Sequence, residues 1–214
     1  MRVVIAGGHG QIALLLEKEL ARRGDDPVGI VRNPDHVGDV EKAGAEAVVL
    51  DLEECDAATL AEVLHGADAV VFAAGGGPNS GAARKETVDK GAAVLLADAA
   101  ELAGVRRYVM VSAMGTEEAD PTSDDVFAVY LRAKKAADDD LRARDLDWTI
   151  VRPGRLTDHP GLGRVQVGSL PGGEVSRADV AGVLAEVLHM DTTTGLTFDL
   201  LAGQQPIQAA LAGL

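Results

Sequence analysis

Runs of β-branched and other apolar residues alternate with helix-patterned stretches along almost the whole chain, and that alternation leaves few folds open. The first run is RVVIA (2–6). It is followed by IALLLEKELARRG, in which Ile12, Leu16 and Leu20 recur every fourth residue and Gly24 ends the pattern. PVGIVR (27–32), AEAVVLDL (45–52), ADAVVFAAGGG (67–77), VRRYVMVSA (105–113), LDWTIVRPG (146–154) and LTFDLL (196–201) read as further strands. Between them the pattern predicts a short helix in PDHVGDVEKAG, one at 56–66 capped by Asp56, a long one at 84–103 ended by Gly104, one at 124–145 and one from Ser176 to about Met190. A Gly/Pro-rich loop covers 154–173, and a short tail closes the chain.

Strands that are apolar throughout and separated by helices form a parallel sheet covered on both faces. The expected class is therefore α/β, a doubly wound parallel sheet. A chain of 214 residues can bury one large core. No linker or repeat interrupts it, so a single domain over 1–214 is expected, with 154–214 forming a small lobe on the substrate side.

Charge and cysteine content narrow the partners. Lys and Arg number 20 against 34 Asp and Glu, a formal charge of −14. Such a surface repels nucleic acid and anionic membranes. No apolar run approaches the roughly 18 residues of a membrane span. No signal peptide is read at the N-terminus, which leads us to expect a cytoplasmic protein. Cys55 is the single cysteine, so no intramolecular disulfide can form; in DLEECDAATL it reads as a surface or half-buried thiol. No His/Cys/Asp spacing suggests a metal site. The run DDD (138–140) reads as a solvated helix face.

The turn between the first strand and the first helix is unusually rich in glycine: Gly7, Gly8, His9, Gly10, Gln11, Ile12. Glycine permits φ > 0 and leaves no Cβ to block an approaching ligand. The helix that starts there offers free N–H groups and a partial positive charge, which suits a pyrophosphate. The spacing Gly7-x-x-Gly10-x-x-Ala13 at the first βα turn favours a dinucleotide site; a plain tight turn is the alternative. The second strand ends at Arg32 rather than at an acid. A guanidinium suits a ribose 2′-phosphate, so NADP is favoured over NAD; a solvated arginine is the other reading. Asp51, followed by Leu52 at the end of the third strand, either accepts from an adenine amino group or caps the next turn. His9 either approaches phosphate or faces solvent, and His159 reads as a loop histidine.

In the order GGHGQIA, VRNP, DL, VVFAAGGG, AGVRRYVMVSAMG, YLRAK, VRPG and SRADVAGVL, the chain resembles the atypical short-chain dehydrogenase/reductase superfamily. Its NmrA-like, epimerase/dehydratase-like and biliverdin/flavin reductase branches are the nearest in pattern. The resemblance covers nearly the whole chain and implies a Rossmann fold. It implies that Gly7, Gly10 and Ala13 form the phosphate turn and that Arg32 holds the 2′-phosphate. It further implies that Ala73, Ala74 and Gly75 pass under the adenine-side ribose, that Tyr130 and Lys134 are the Tyr-x-x-x-Lys pair, and that Pro153 and Gly154 border the nicotinamide.

The chemistry of that pair stands on its own. Residues four apart share a helix face, so Tyr130 and Lys134 can point into one cleft. A free phenol has a pKa near 10, and a nearby ammonium stabilises the phenolate. Tyr130 then passes a proton to or from a substrate oxygen, and Lys134 can also bond a cofactor ribose. Ser112, with Thr116 as the alternative, supplies a hydroxyl for the substrate carbonyl, although the family's hydroxyl often falls where Ala113 and Met114 stand here. Tyr108 reads as packing. Three functions remain open: an NADP-dependent oxidoreductase or epimerase acting on a small carbonyl or hydroxyl substrate, an NADP-binding sensor without turnover, and a flavin or quinone reductase. The expected assembly is a monomer or homodimer.

Overall fold

The computed structural model describes residues 1–77 and 81–214. Its strands are β1 (Arg2–Ala6), β2 (Asp26–Val31), β3 (Glu46–Val49), β4 (Ala69–Phe72), β5 (Arg107–Val111), β6 (Asp147–Pro153), β7 (Arg155–Thr157), β8 (Arg164–Gly168), β9 (Glu174–Ser176), β10 (Leu196–Ala202) and β11 (Gln205–Pro206). Nine of them form one sheet in the order β11-β8-β10-β6-β5-β4-β1-β2-β3. Every pairing from β10 to β3 is parallel, as continuous apolar strands require, whereas β8 runs antiparallel to β10 and to β11 at the edge. β7 and β9 form a separate parallel pair.

Helices cover both faces. α1 (Gln11–Arg23) and α7 (Arg177–Leu188) pack against each other, burying Leu16, Leu20, Val180, Val183 and Leu184 with the inner side chains of β1. α2 (Val37–Lys42) closes a small satellite cluster through Val40. α3 (Ala57–Leu64) lies on the opposite face, where Leu60 and Leu64 meet Val4, Val70, Phe72 and Tyr108. Each fully buried Leu there contributes about 1.5–3 kcal/mol relative to exposure. Tyr108 is wholly buried, as expected for a packing residue, and its hydroxyl donates to the Ala93 carbonyl at 3.0 Å.

The helix expected at 84–103 is three pieces. α4 (Ala82–Arg84) leads into a π-helical turn over Lys85–Ala92, and α5 (Ala93–Ala103) continues to Gly104. The wider turn puts Lys85, Val88, Asp89 and Ala92 inward. α6 (Val126–Arg142) packs beside it. Asp138, read as part of a solvated acidic run, is instead wholly buried on α6, because Ser112 and Arg152 both reach it. The 154–173 stretch holds β7 and β8 rather than loop alone, and the tail holds β11 and α8 (Ile207–Leu211). β7 forms by pairing with β9, β8 with β10 and β11 with β8, a cue invisible in a short window flanked by glycine. Among the described residues no helix is long and apolar enough to cross a membrane.

Strand order reverses between β1 and β4. In such a sheet the crevice beyond the carboxyl ends of those two strands is the place for a ligand.

Candidate functional site

The glycine turn closes that crevice from below. Gly7 has φ +87°, and a Cβ on it would stand 2.6 Å from Ala74 Cα, so only glycine lets β1 and the end of β4 approach this closely. Gly8 turns the other way: its N–H donates to the Ile30 carbonyl at 2.8 Å, and a Cβ on it would stand 2.7 Å from Gly29 Cα. Gly10 caps α1 without any side-chain hydrogen bond, which leaves the helix N-terminus facing the crevice. Gln11, the first residue of α1, is exposed.

A cleft of about 380 Å³ opens above the turn. Gly7, His9, Gly10, Arg32, Asp51 and Leu52 line it, together with Ala73, Ala74 and Gly75. The Arg32 guanidinium is half exposed and pairs with Glu53 Oε2 at 2.9 Å. Arg84 meets the same oxygen at 2.9 Å, and the Thr87 hydroxyl donates to the other at 2.7 Å. Glu53 thus ties the end of β2 to the helix across the cleft. His9 stacks on His36, with ring centroids 3.6 Å apart, and pairs with Asp39 at 3.1 Å. Asp51 Oδ1 accepts the Glu53 N–H at 2.9 Å, so it caps the turn while lining the cleft.

Ala73, Ala74 and Gly75 also floor a second cleft, of about 650 Å³. Tyr130 and Lys134 line it from α6, and Ile12, Ser112, Pro153, Gly154 and Leu156 line it from the sheet side. Lys134 is 3 % exposed. Its Nζ donates to the Val111 carbonyl at 3.0 Å and stands 3.6 Å from Asp89 Oδ1. Burial pushes the Lys134 ammonium down from the usual lysine value, and Asp89 and Asp138 oppose that. Tyr130 is pushed up, first by burial and then by Asp89 and Asp138. Ser112 donates its hydroxyl proton to Asp138 Oδ2 at 2.9 Å, and that oxygen also receives Arg152 Nε at 3.0 Å. Thr116 is buried outside the lining of the cleft.

A family profile described as NAD(P)H-binding matches residues 7–191. The chain belongs to this NAD(P)H-binding family. It is 35% identical over 216 residues to a Bacillus subtilis protein named as an uncharacterized sugar epimerase, YhfK, with all of both chains covered. A Bacillus halodurans structure provisionally named as an NAD-dependent epimerase/dehydratase superposes with TM-score 0.92 at 38% identity over 100% of both chains. The oxidoreductase ylbE from Lactococcus lactis superposes with TM-score 0.89 at 28% identity, covering 100% of this chain and 96% of that one.

For an NAD(P)H-binding chain the donor set is chemically apt. A helix N-terminus and a Cβ-free turn suit a pyrophosphate, and two joined clefts suit the two halves of a dinucleotide. Sequence reasoning missed four charged groups here. Lys85 and Asp89 line the second cleft, while Glu53 and Arg84 line the first. Lys85 and Asp89 stand four apart with opposite charge, a pattern that ordinarily marks a solvated helix face, and only the π-helical turn brings them inward.

Proposed function

We propose that this protein is an NADP-dependent oxidoreductase or epimerase acting on a small carbonyl or hydroxyl substrate, with Tyr130 as acid/base and Lys134 beside it. The observation that carries this reading is the shared floor: Ala73, Ala74 and Gly75 join the glycine-turn cleft to the one lined by Tyr130 and Lys134. A nicotinamide cofactor, when bound, supplies or accepts hydride. The chain's own groups do the rest. Gly7, Gly10 and the α1 N-terminus receive the phosphates, Arg32 receives a 2′-phosphate, and Pro153 borders the reacting end. Tyr130 moves the proton at the substrate oxygen. The names carried by the relatives, an epimerase, an epimerase/dehydratase and an oxidoreductase, fall on both sides of that alternative and support it at this coarse level.

Arg32 is shared with Glu53, so a 2′-phosphate competes with that carboxylate for the guanidinium. A second reading, reduction of a flavin or quinone, is favoured by Ser112: its hydroxyl proton goes to Asp138, and such a reaction needs no serine. Two measurements separate these. Fluorescence titration is expected to give tighter binding of NADPH than of NADH, with Arg32→Ala removing the difference; equal binding by the unaltered protein ends the NADP assignment. Tyr130→Phe is expected to keep NADPH binding and to lose about 100-fold or more in turnover. Turnover kept by Tyr130→Phe ends the acid/base role and leaves the flavin or quinone reading.

A further inference from the structure

The second cleft is shaped electrostatically by the π-helical turn as well as by α6. We propose that Asp89 is a positioning residue whose carboxylate offsets the lysine charge beside Tyr130, so that the phenol meets a substrate oxygen as a proton donor. This rests on the reading of Tyr130 as the proton-transfer group.

Asp89 is 1 % exposed. Its Oδ2 accepts the Gly76 N–H at 3.0 Å, while its Oδ1 is buried with no hydrogen-bond donor among the described residues; the residue is one of those lining the cleft. Two ammonium groups flank this carboxylate, Lys134 at 3.6 Å and Lys85 at 3.9 Å. Lys85 also donates to the Gly77 carbonyl at 2.7 Å and lies 5.1 Å from the centre of the Tyr130 ring. A lysine beside a tyrosine lowers the phenol pKa only while its charge is uncompensated. Here one buried carboxylate, shared by the two ammonium groups, offsets one of their two charges.

Among the described residues lining the cleft with Tyr130, the charged ones are Lys85, Asp89, Lys134 and Asp125, the last exposed at the start of α6. The π-helical turn contributes Lys85 and Asp89. Its own helix contributes Lys134 and Asp138, and β6 contributes Arg152, which is engaged with Asp138 at 2.8 Å. Arg152 therefore answers one carboxylate, and the two lysines share the other. Burial and both carboxylates all raise the phenol.

A phenol that stays protonated at neutral pH is ready to donate, whereas a base must first be ionised. In the reductive step the substrate carbonyl carbon accepts hydride from a reduced nicotinamide. Its π pair moves to oxygen, that oxygen takes the Tyr130 proton, and water returns a proton to the phenolate. The carbonyl is reduced and the nicotinamide oxidised.

The test needs no substrate. Tyr108 and Tyr130 are the two tyrosines of the chain, so NMR of protein labelled at tyrosine Cζ follows each through a pH titration, with Tyr130→Phe assigning the signals. The Tyr130 signal is expected to show no ionisation below about pH 10, and Asp89→Asn is expected to lower its midpoint by about one pH unit or more. Asp89→Glu, which restores the charge, is expected to return the midpoint towards that of the unaltered protein. Ionisation of Tyr130 below about pH 10 in the unaltered protein overturns the proposal whether or not the variants fold. An unchanged or raised midpoint in folded Asp89→Asn overturns it as well. The turnover of Tyr130→Phe tests the proton-transfer role separately, because the titration reads only the coupling of Asp89 to the phenol.

Discussion

Glu17 sits on the inner side of α1, wholly buried, and neither carboxyl oxygen has a hydrogen-bond partner among the described residues. A Cβ on Gly29 would come within 2.5 Å of its Oε1, so the side chain lies directly on β2. Burial raises this carboxyl to about 8. The unfolded chain ionises near 4.5, so between that value and about 8 the folded state holds a proton that the unfolded state has released. Stability from this group is full below the unfolded value, falls as pH rises and levels off above the folded one. At pH 7 the loss is about 3 kcal/mol. Glu17→Gln is expected to flatten the dependence of melting temperature on pH between 5 and 8, and to melt several degrees above the unaltered protein at pH 8. Parallel pH profiles for the two proteins would refute a buried neutral acid.

At the scale of elements, the strand–turn–helix unit was legible because its requirements are local. Val3 to Ala6 need a buried strand, Gly7 needs a positive φ, and Ile12, Leu16 and Leu20 need one helix face. Gly8 is different, since its constraint comes from β2. Gly8→Ala puts a methyl 2.7 Å from Gly29 Cα and pushes the turn away from β2. The expected outcome is NADPH affinity lowered about tenfold or more, with most of the sheet intact by circular dichroism. Unchanged affinity would mean that the turn does not hold the phosphates. The π-helical turn lies at the other extreme. KETVDKGA carries no local cue for a five-residue hydrogen-bond step, and the widening shows only in how the segment packs on α6.

At the scale of the whole molecule, the crevice over the glycine turn and a buried tether lie at opposite ends of the strands. Arg107 opens β5 at its amino end and is 8 % exposed. Its guanidinium donates to the Asp147 carbonyl at 2.8 Å, Thr149 Oγ1 at 2.9 Å, the Val187 carbonyl at 2.7 Å and Thr193 Oγ1 at 3.1 Å. One side chain thereby joins two strands to the end of α7 and the turn after it. Arg107→Leu removes these four largely buried hydrogen bonds and is expected to cost about 3 kcal/mol or more, a fall in melting temperature of roughly 6–12 °C. NADPH affinity of the folded variant is expected to stay within about twofold, because the crevice is at the carboxyl ends. A melting temperature within a degree of the unaltered protein would show that solvent replaces these bonds.

Periodicity and glycine placement alone determined the layered α/β architecture, the position of the first βα turn and the pairing of Tyr130 with Lys134 on one helix face. Each depends on residues within a few positions of one another. The tertiary structure alone decided which charges meet. Arg32 is answered by Glu53, Lys134 by Asp89, and Ser112 by Asp138, each pair separated by at least twenty residues and joined by the packing of different elements. The charge state of a buried group depends on what surrounds it in three dimensions, and spacing along the chain carries no record of that.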